Sequence, residues 1–300
     1  MRVFVTGGTG FIGTAVVRDL LDAGHQVLGL ARSDQAADAL RAAGAAAHSG
    51  ALDDFESLRA GASAADGVIH LAFNNISEDT DFAAACEADR RAIEAIGTAL
   101  TDTGKPFVIT SGTALLTTGR VGTEADAPDP GPFGQLRGAA EQTLLAFASR
   151  GVRASVVRLA PSVHGEGDHG FVPALIAIAR DKGLAAYPGD GANRWAAVHR
   201  LDAARLFRLA VESAPAGSRL HGVGDESVPV REIAEVIGRH LDLPVESVPV
   251  ADAGEHFGWI TPFITLDTPA SNYLTQRQLD WHPGEPGLIA DLDKGHYFAL

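Results

Sequence analysis

The chain has 300 residues and a mass of 31.1 kDa, with 46% hydrophobic and 21% charged residues, which excludes a disordered or fibrous protein and suits one large α/β domain or a domain with an appendage. Acidic side chains outnumber basic ones 38 to 24, for a net charge of −14; with no basic block to offset it, such a surface repels phosphate backbones, and nucleic acid is not an expected partner. No apolar run is long enough to span a membrane, and the single cysteine, Cys86, permits neither an internal disulfide nor a Cys-rich metal site, so no metal is expected and the chain suits a reducing cytosol.

The first half alternates short apolar runs with longer stretches of helical spacing. Strands are predicted at Arg2–Thr6, Gln26–Ala31, Ala46–His48, Gly67–Ala72, Pro106–Ser111 and Arg153–Leu159, with helices at 11–23, 34–43, 54–61, 80–103 and 134–150 between them. This is a βαβ rhythm. It predicts an α/β chain with a Rossmann-like, doubly wound parallel sheet over residues 1–160. Past Pro161 the character changes. A glycine-rich loop carrying Gly165, Gly167, Asp168, His169 and Gly170 leads into a helix at 172–180, further helices follow at 200–212 and 231–240, and from Ala251 the pattern is short and mixed. Residues 161–300 are therefore expected to form a smaller C-terminal substrate-binding region interleaved with the sheet. Its aromatic residues Trp195, Phe257, Trp259, Phe263 and Tyr273 are expected to divide between core and pocket wall. The acidic run Glu124-Ala125-Asp126-Ala127-Pro128-Asp129 reads as a solvated face, and Asn74-Asn75 as either a turn or a substrate contact.

The first strand runs into Thr6-Gly7-Gly8-Thr9-Gly10-Phe11-Ile12-Gly13 and then a helix. One glycine permits the tight turn, one lets the backbone approach a pyrophosphate, and one lets helix and strand pack closely, while the helix N-terminus favours phosphate. A dinucleotide site is expected, with Gly7, Thr9, Gly10, Phe11, Ile12 and Gly13 around it. About 20 residues on, an acidic residue would hold the ribose of NAD. Here the second strand ends Ala31-Arg32-Ser33, and Arg32 with Ser33 offers a cation and a hydroxyl to a 2′-phosphate, so NADP(H) is the expected cofactor. Asp34 is the rival carboxylate, though it also stands where a helix N-cap belongs, and Arg32 also reads as a plain surface charge.

These residues resemble the short-chain dehydrogenase/reductase superfamily, in its extended and atypical branch of NAD(P)-dependent epimerase/dehydratase-like proteins. The likeness rests on five ordered segments: Thr6–Gly13; Gly50-Ala51-Leu52-Asp53, where Ala51 replaces the usual acidic residue; Val68-Ile69-His70-Leu71-Ala72; Arg158-Leu159-Ala160-Pro161 with Val163-His164-Gly165; and Trp195 to Ala204. The resemblance adds Leu52, Leu71, Ala72, Ser111 and Arg137 to the cofactor contacts. It also implies a homodimer through the helices at 80–103 and 134–150.

The same resemblance implies a catalytic Tyr followed four residues later by Lys, and a Ser or Thr after the fifth strand. Here the chain departs. None of its three lysines, Lys105, Lys182 and Lys294, follows a tyrosine at that spacing. The family register places Phe133 at the Tyr position and Arg137 at the Lys position, with the usual hydroxyl falling on Gly112, so that Ser111 or Thr113 substitutes only if the register shifts by one. Hydride transfer survives this loss because the cofactor carries it; an internal acid does not. Three solutions stay open: a relocated donor among His164, His199 and Tyr187, a substrate such as an iminium that needs little acid, or a water held by Ser111 or Thr113. The expected activity is NADP(H)-dependent reduction of a small or medium organic carbonyl, imine or activated alkene. The alternatives are a non-enzymatic NADP(H)-binding sensor and an NAD-dependent sugar epimerase or dehydratase.

Overall fold

The computed structural model describes residues 1–73 and 81–299. The chain begins β1 (Arg2–Thr6), α1 (Phe11–Asp22), β2 (Gln26–Ala31), α2 (Asp34–Ala42), β3 (Ala46–Ser49), α3 (Phe55–Ser63), β4 (Gly67–His70), α4 (Phe82–Leu100), β5 (Pro106–Gly112), α5 (Pro132–Ala146) and β6 (Arg153–Leu159). It continues with β7 (Ser162–His164), α6 (Phe171–Lys182), β8 (Ala185–Pro188), β9 (Arg194–His199), α7 (Arg200–Ser213), β10 (Ser218–Gly222), β11 (Asp225–Pro229), α8 (Val230–Leu241) and β12 (Val245–Val248). Four short helices finish the described chain: α9 (Ala253–Phe257), α10 (Thr261–Ile264), α11 (Tyr273–Leu279) and α12 (Leu288–Leu292).

Seven parallel strands form the central sheet in the order β10-β6-β5-β4-β1-β2-β3. The chain winds one way from β1 to β3 and the other way from β4 to β10. The switch lies between β1 and β4, where open α/β sheets bind their ligands. This is the doubly wound Rossmann-like sheet expected of the sequence.

Strand alternation builds two cores. On one face Val3, Val5, Val27, Ile69, Val108 and Val157 pack with α1 and α7. On the other, Phe4, Leu28, Val68, Phe107, Ile109 and Val156 pack with α3, α4 and α5. The sheet does not end with residue 160: β10 is its edge strand, and α7 covers the same face as α1 through Ala203, Leu206, Phe207 and Ala210. Most of the remaining C-terminal residues gather around a third core of Trp195, Ile233, Phe257 and Leu288. There β11, β9 and β7 make a three-stranded sheet and β12 pairs with β8.

Three local readings change. β4 stops at His70, because the chain leaves the ladder once Leu71 N–H has bonded Thr6 O at 3.2 Å. The N-cap of α2 is Ser33, whose Oγ accepts from Ala36 N–H at 3.3 Å; Asp34 is the first helical residue. Glu124 is not solvated: it is buried and accepts from the Thr275 N–H and hydroxyl, both at 2.7 Å. No helix among the described residues is long and apolar enough to cross a membrane.

Candidate active site

The glycine loop shows why it needs glycine. Gly7 has φ +72°, and a Cβ there would lie 2.7 Å from Ala72 N, so the residues after β4 close against the loop. A Cβ on Gly13 would stand 1.9 Å from Gly7 O. Gly10 differs: its backbone is ordinary, its Cβ would meet only Gly7 O at 3.4 Å, and it opens outward at the start of α1. No side chain caps α1 and no acidic residue stands in its first turn, so its first N–H groups are left for an external anion. This cradle fits the pyrophosphate of a nicotinamide dinucleotide. Thr9 and Gly10 are exposed and Phe11 and Ile12 half-buried beside it.

At the adenine end, Gly50 N–H bonds Ala31 O at 3.1 Å and brings Leu52, which packs on the second core, beside the β2 terminus. Arg32 is exposed and makes no ion pair with a described residue. The Ser33 hydroxyl accepts its capping bond and keeps its own O–H free to donate.

From β1 a buried polar chain crosses to the Arg137 position. Thr6 Oγ1 lies 2.7 Å from His70 Nδ1, and His70 Nε2 lies 3.0 Å from Asp89 Oδ1. Asp89 accepts from Arg137 Nη1, while Arg137 Nη2 donates to Thr110 O at 2.8 Å. Burial pushes the Asp89 carboxyl up, but the Arg137 guanidinium and the His70 hydrogen bond outweigh it and hold the carboxyl below the usual carboxylate range. The Arg137 guanidinium also lies 4.4 Å from the Phe73 ring centroid. Sequence reasoning missed Asp89. Its signal was present: Ala85, Cys86, Asp89, Ala92, Ile93 and Ile96 make the buried stripe of α4, and a carboxylate inside an apolar stripe demands a partner.

Phe133 and Arg137, which the resemblance sets at the family's Tyr and Lys positions, are held in different ways. Phe133 is half-buried and stacks on Phe82, with ring centroids 5.1 Å apart and planes 9° from parallel. Ser111 is buried and donates to Glu141 Oε1 at 2.6 Å. Glu141 is in turn gripped by Arg158 Nε and Nη2 at 2.8 and 2.7 Å. Ser111 is therefore no free hydroxyl; with Arg158 and His221, in register on β5, β6 and β10, it belongs to a buried polar cluster. Thr113 Oγ1 is buried and has no hydrogen-bond partner among the described residues.

The relocated donors are held elsewhere. His164 is fully buried in β7 with Nδ1 3.0 Å from Asp291, and its ring meets that of His199 edge-on at 5.3 Å. His199 caps α7 by accepting from Leu201 N–H. Tyr187 is buried in β8 under the Arg231 guanidinium. None of these partners belongs to the Phe133–Arg137 cluster; Tyr187 sits in the C-terminal core, while a Cβ on Gly165 would lie 3.1 Å from His199 Nε2, at the base of the 165–170 loop. The 165–170 loop does reach the cofactor cradle. His169 packs on Phe11 at 5.8 Å, Arg200 covers the same ring, and Tyr297 pins the loop by accepting from Gly165 N–H and donating to Asp168. Asn74 and Asn75 lie outside the described residues.

A model of the NAD dependent epimerase/dehydratase family matches residues 3–221. The chain belongs to that family. It is 50% identical over 300 residues to an uncharacterized protein of Schizosaccharomyces pombe, covering 99% of this chain and 100% of the relative. Over 224 residues it is 30% identical to a Stigmatella aurantiaca protein named 4-hydroxy-2-methyl-3-oxo-4-farnesyl-3,4-dihydroquinoline-1-oxide ketoreductase, covering 72% of this chain and 66% of that one. Among solved structures, a dTDP-glucose 4,6-dehydratase from Streptomyces venezuelae with NAD bound superposes with a TM-score of 0.79 at 20% identity, over 99% of this chain and 97% of that one; it shares the fold. The family assignment makes the protein a nicotinamide-dependent enzyme of the oxidoreductase, epimerase and dehydratase group.

Proposed function

We propose that the protein is a cytosolic NADP(H)-dependent reductase that adds hydride to a small or medium organic carbonyl, imine or activated alkene without a Tyr-Lys pair. The observation that carries this reading is the Phe133–Arg137 region beside an intact glycine cradle: the dinucleotide-binding geometry is kept, while the proton-donating position holds a hydrocarbon ring and the cationic position is tied to Asp89. The bound cofactor would supply the hydride. The chain's own residues bind and orient: the α1 N-terminus takes the pyrophosphate, Arg32 and Ser33 the 2′-phosphate, and Arg137 borders the reacting end. The proton, where the product needs one, comes from water. The name of the ketoreductase relative supports reduction over epimerisation, and sugar epimerases of the family lean on the tyrosine missing here.

The test pairs calorimetric titration of NADPH and NADH with NADPH oxidation across a panel of ketones, aldehydes, imines and enones. Turnover on part of the panel with NADPH preferred is expected. Tight NADPH binding with no turnover anywhere would replace the enzyme by an NADP(H) sensor. The same reading includes a homodimer through α4 and α5, whose outer groove is lined by Cys86, Arg90, Gln135 and the exposed Leu136. Sedimentation equilibrium should give twice the chain mass, and a monomer at micromolar concentration would exclude it.

A further inference from the structure

The ring at position 133 does not stand alone. Phe73, Phe82, Phe133, Phe263, Phe171 and Trp259 form a continuous strip: centroid separations along it are 6.3, 5.1, 5.9, 4.7 and 6.0 Å. Each of the six is half-buried, neither sealed in a core nor free. The strip starts just past the end of β4, under the Arg137 guanidinium, where the reacting end of a dinucleotide belongs in this topology. It ends in the C-terminal lobe. Its far half is held rigidly: buried Trp195 donates Nε1–H to Phe263 O at 3.1 Å, and Asn193 Nδ2 donates to Ile264 O and Leu266 O at 2.8 and 3.1 Å.

A contiguous, half-exposed aromatic surface at a reaction centre marks a ligand wall. Sugar hydroxyls would find few partners on it, since five of its six rings are phenylalanines and only Trp259 carries a donor, and unpaired polar groups are costly against such a surface. A flat ring system gains both burial and stacking. We propose that the substrate of this site is a planar aromatic compound whose electrophilic carbon is attached to the ring, lying against Phe82, Phe133 and Phe263. The inference rests on the reductase reading for its chemistry and on the strip for its substrate class. For an aldehyde the step would balance as follows: the carbonyl carbon gains a hydride that oxidises NADPH to NADP+, the C=O π pair moves to oxygen, and oxygen takes a proton from water, leaving hydroxide.

The test uses the full-length protein with NADP+ and two probes of similar size, 2-naphthaldehyde and the fully saturated decalin-2-carbaldehyde, titrated calorimetrically. The planar probe should bind roughly tenfold more tightly. Phe133→Leu and Phe263→Leu keep apolar volume and should erase that preference while melting at the wild-type temperature, with Phe82→Leu as the substitute for a variant that fails to fold. Equal binding of the two probes, or an undiminished preference in the Leu variants, would overturn the proposal. So would probe affinity that falls as protein concentration rises, which would assign the strip to a second copy of the chain. NADPH oxidation with the same aldehydes separates the two readings. Planar preference without oxidation removes the reductase and keeps the aromatic site; oxidation without planar preference does the reverse.

Discussion

Arg137 and Asp89 form an ion pair inside the protein, the carboxylate 2% and the guanidinium 10% exposed. If Arg137 stands at the lysine position that the resemblance implies, the pair explains how that position tolerates arginine. A guanidinium needs several fixed acceptors, and Asp89 with Thr110 O supplies them, whereas a lysine needs only a point contact.

Removing one partner leaves the other charged and buried. Asp89→Ala should therefore lose about 3–5 kcal/mol in urea unfolding. Replacing both, as Asp89→Leu with Arg137→Met, should recover part of that loss, since it removes both buried charges while leaving His70 Nε2 without its partner. A double variant no more stable than Asp89→Ala would show that the pair is not the controlling interaction.

Arg32 is exposed and pairs with no described residue; on the proposed NADP(H) reading it meets the 2′-phosphate. Arg32→Ala should weaken NADPH by roughly 1–3 kcal/mol, the value of a lost hydrogen bond to a charged group, and leave NADH nearly unchanged. Calorimetric titration of both cofactors decides it, and equal losses would remove the 2′-phosphate assignment.

The glycine loop separates folding from binding at two positions. Gly13→Ala would place a methyl 1.9 Å from Gly7 O, so the α1–β1 packing must open and both melting temperature and cofactor binding should fall. Gly10→Ala meets only a 3.4 Å contact. It should melt within a few degrees of wild type yet bind NADPH about tenfold more weakly, because the methyl stands where the pyrophosphate approaches. A Gly10→Ala protein with unchanged affinity would place the phosphates elsewhere.

Six of the seven sheet strands and the glycine cradle were legible because each is a local pattern: a short apolar run, a turn, then an amphipathic helix. β10 was not, because Ser218-Arg219-Leu220-His221-Gly222 carries no strand periodicity of its own and is recruited by pairing with β6. The absence of any Tyr followed four residues later by Lys was legible from the sequence alone. What Arg137 holds was not, since Asp89 lies 48 residues away on another helix. Ser111 read as a free hydroxyl because its acceptor, Glu141, becomes a neighbour only when α5 packs on β5. His164 stayed open as one of three candidate donors because burial is invisible in a sequence motif.

Stability should depend on pH through His164. Burial pushes its pKa below 6.5 despite the hydrogen bond its Nδ1 makes to the Asp291 carboxylate, which acts the other way. The unfolded chain therefore binds the proton more readily, and stability is fully present above 6.5 and is lost as pH falls through the folded value. Urea midpoints at pH 7.5 and 5.5 should drop in wild type by more than in His164→Asn, which has nothing to protonate. Equal drops would place the pH dependence on other groups.

Restoring the missing hydroxyl should not restore acid catalysis. The resemblance to the family implies a tyrosine beside a lysine that lowers its pKa from about 10. Here the nearby cation is neutralised by Asp89, and Gly112 offers no hydroxyl to relay the proton. Phe133→Tyr should therefore leave ketone reduction within about threefold of wild type across pH 6–9, with no new basic limb in the profile. A tenfold or greater gain, or a limb near pH 9, would show that Arg137 retains enough field to ionise a phenol and that the wild-type ring is the only part missing from the family's proton-donating machinery.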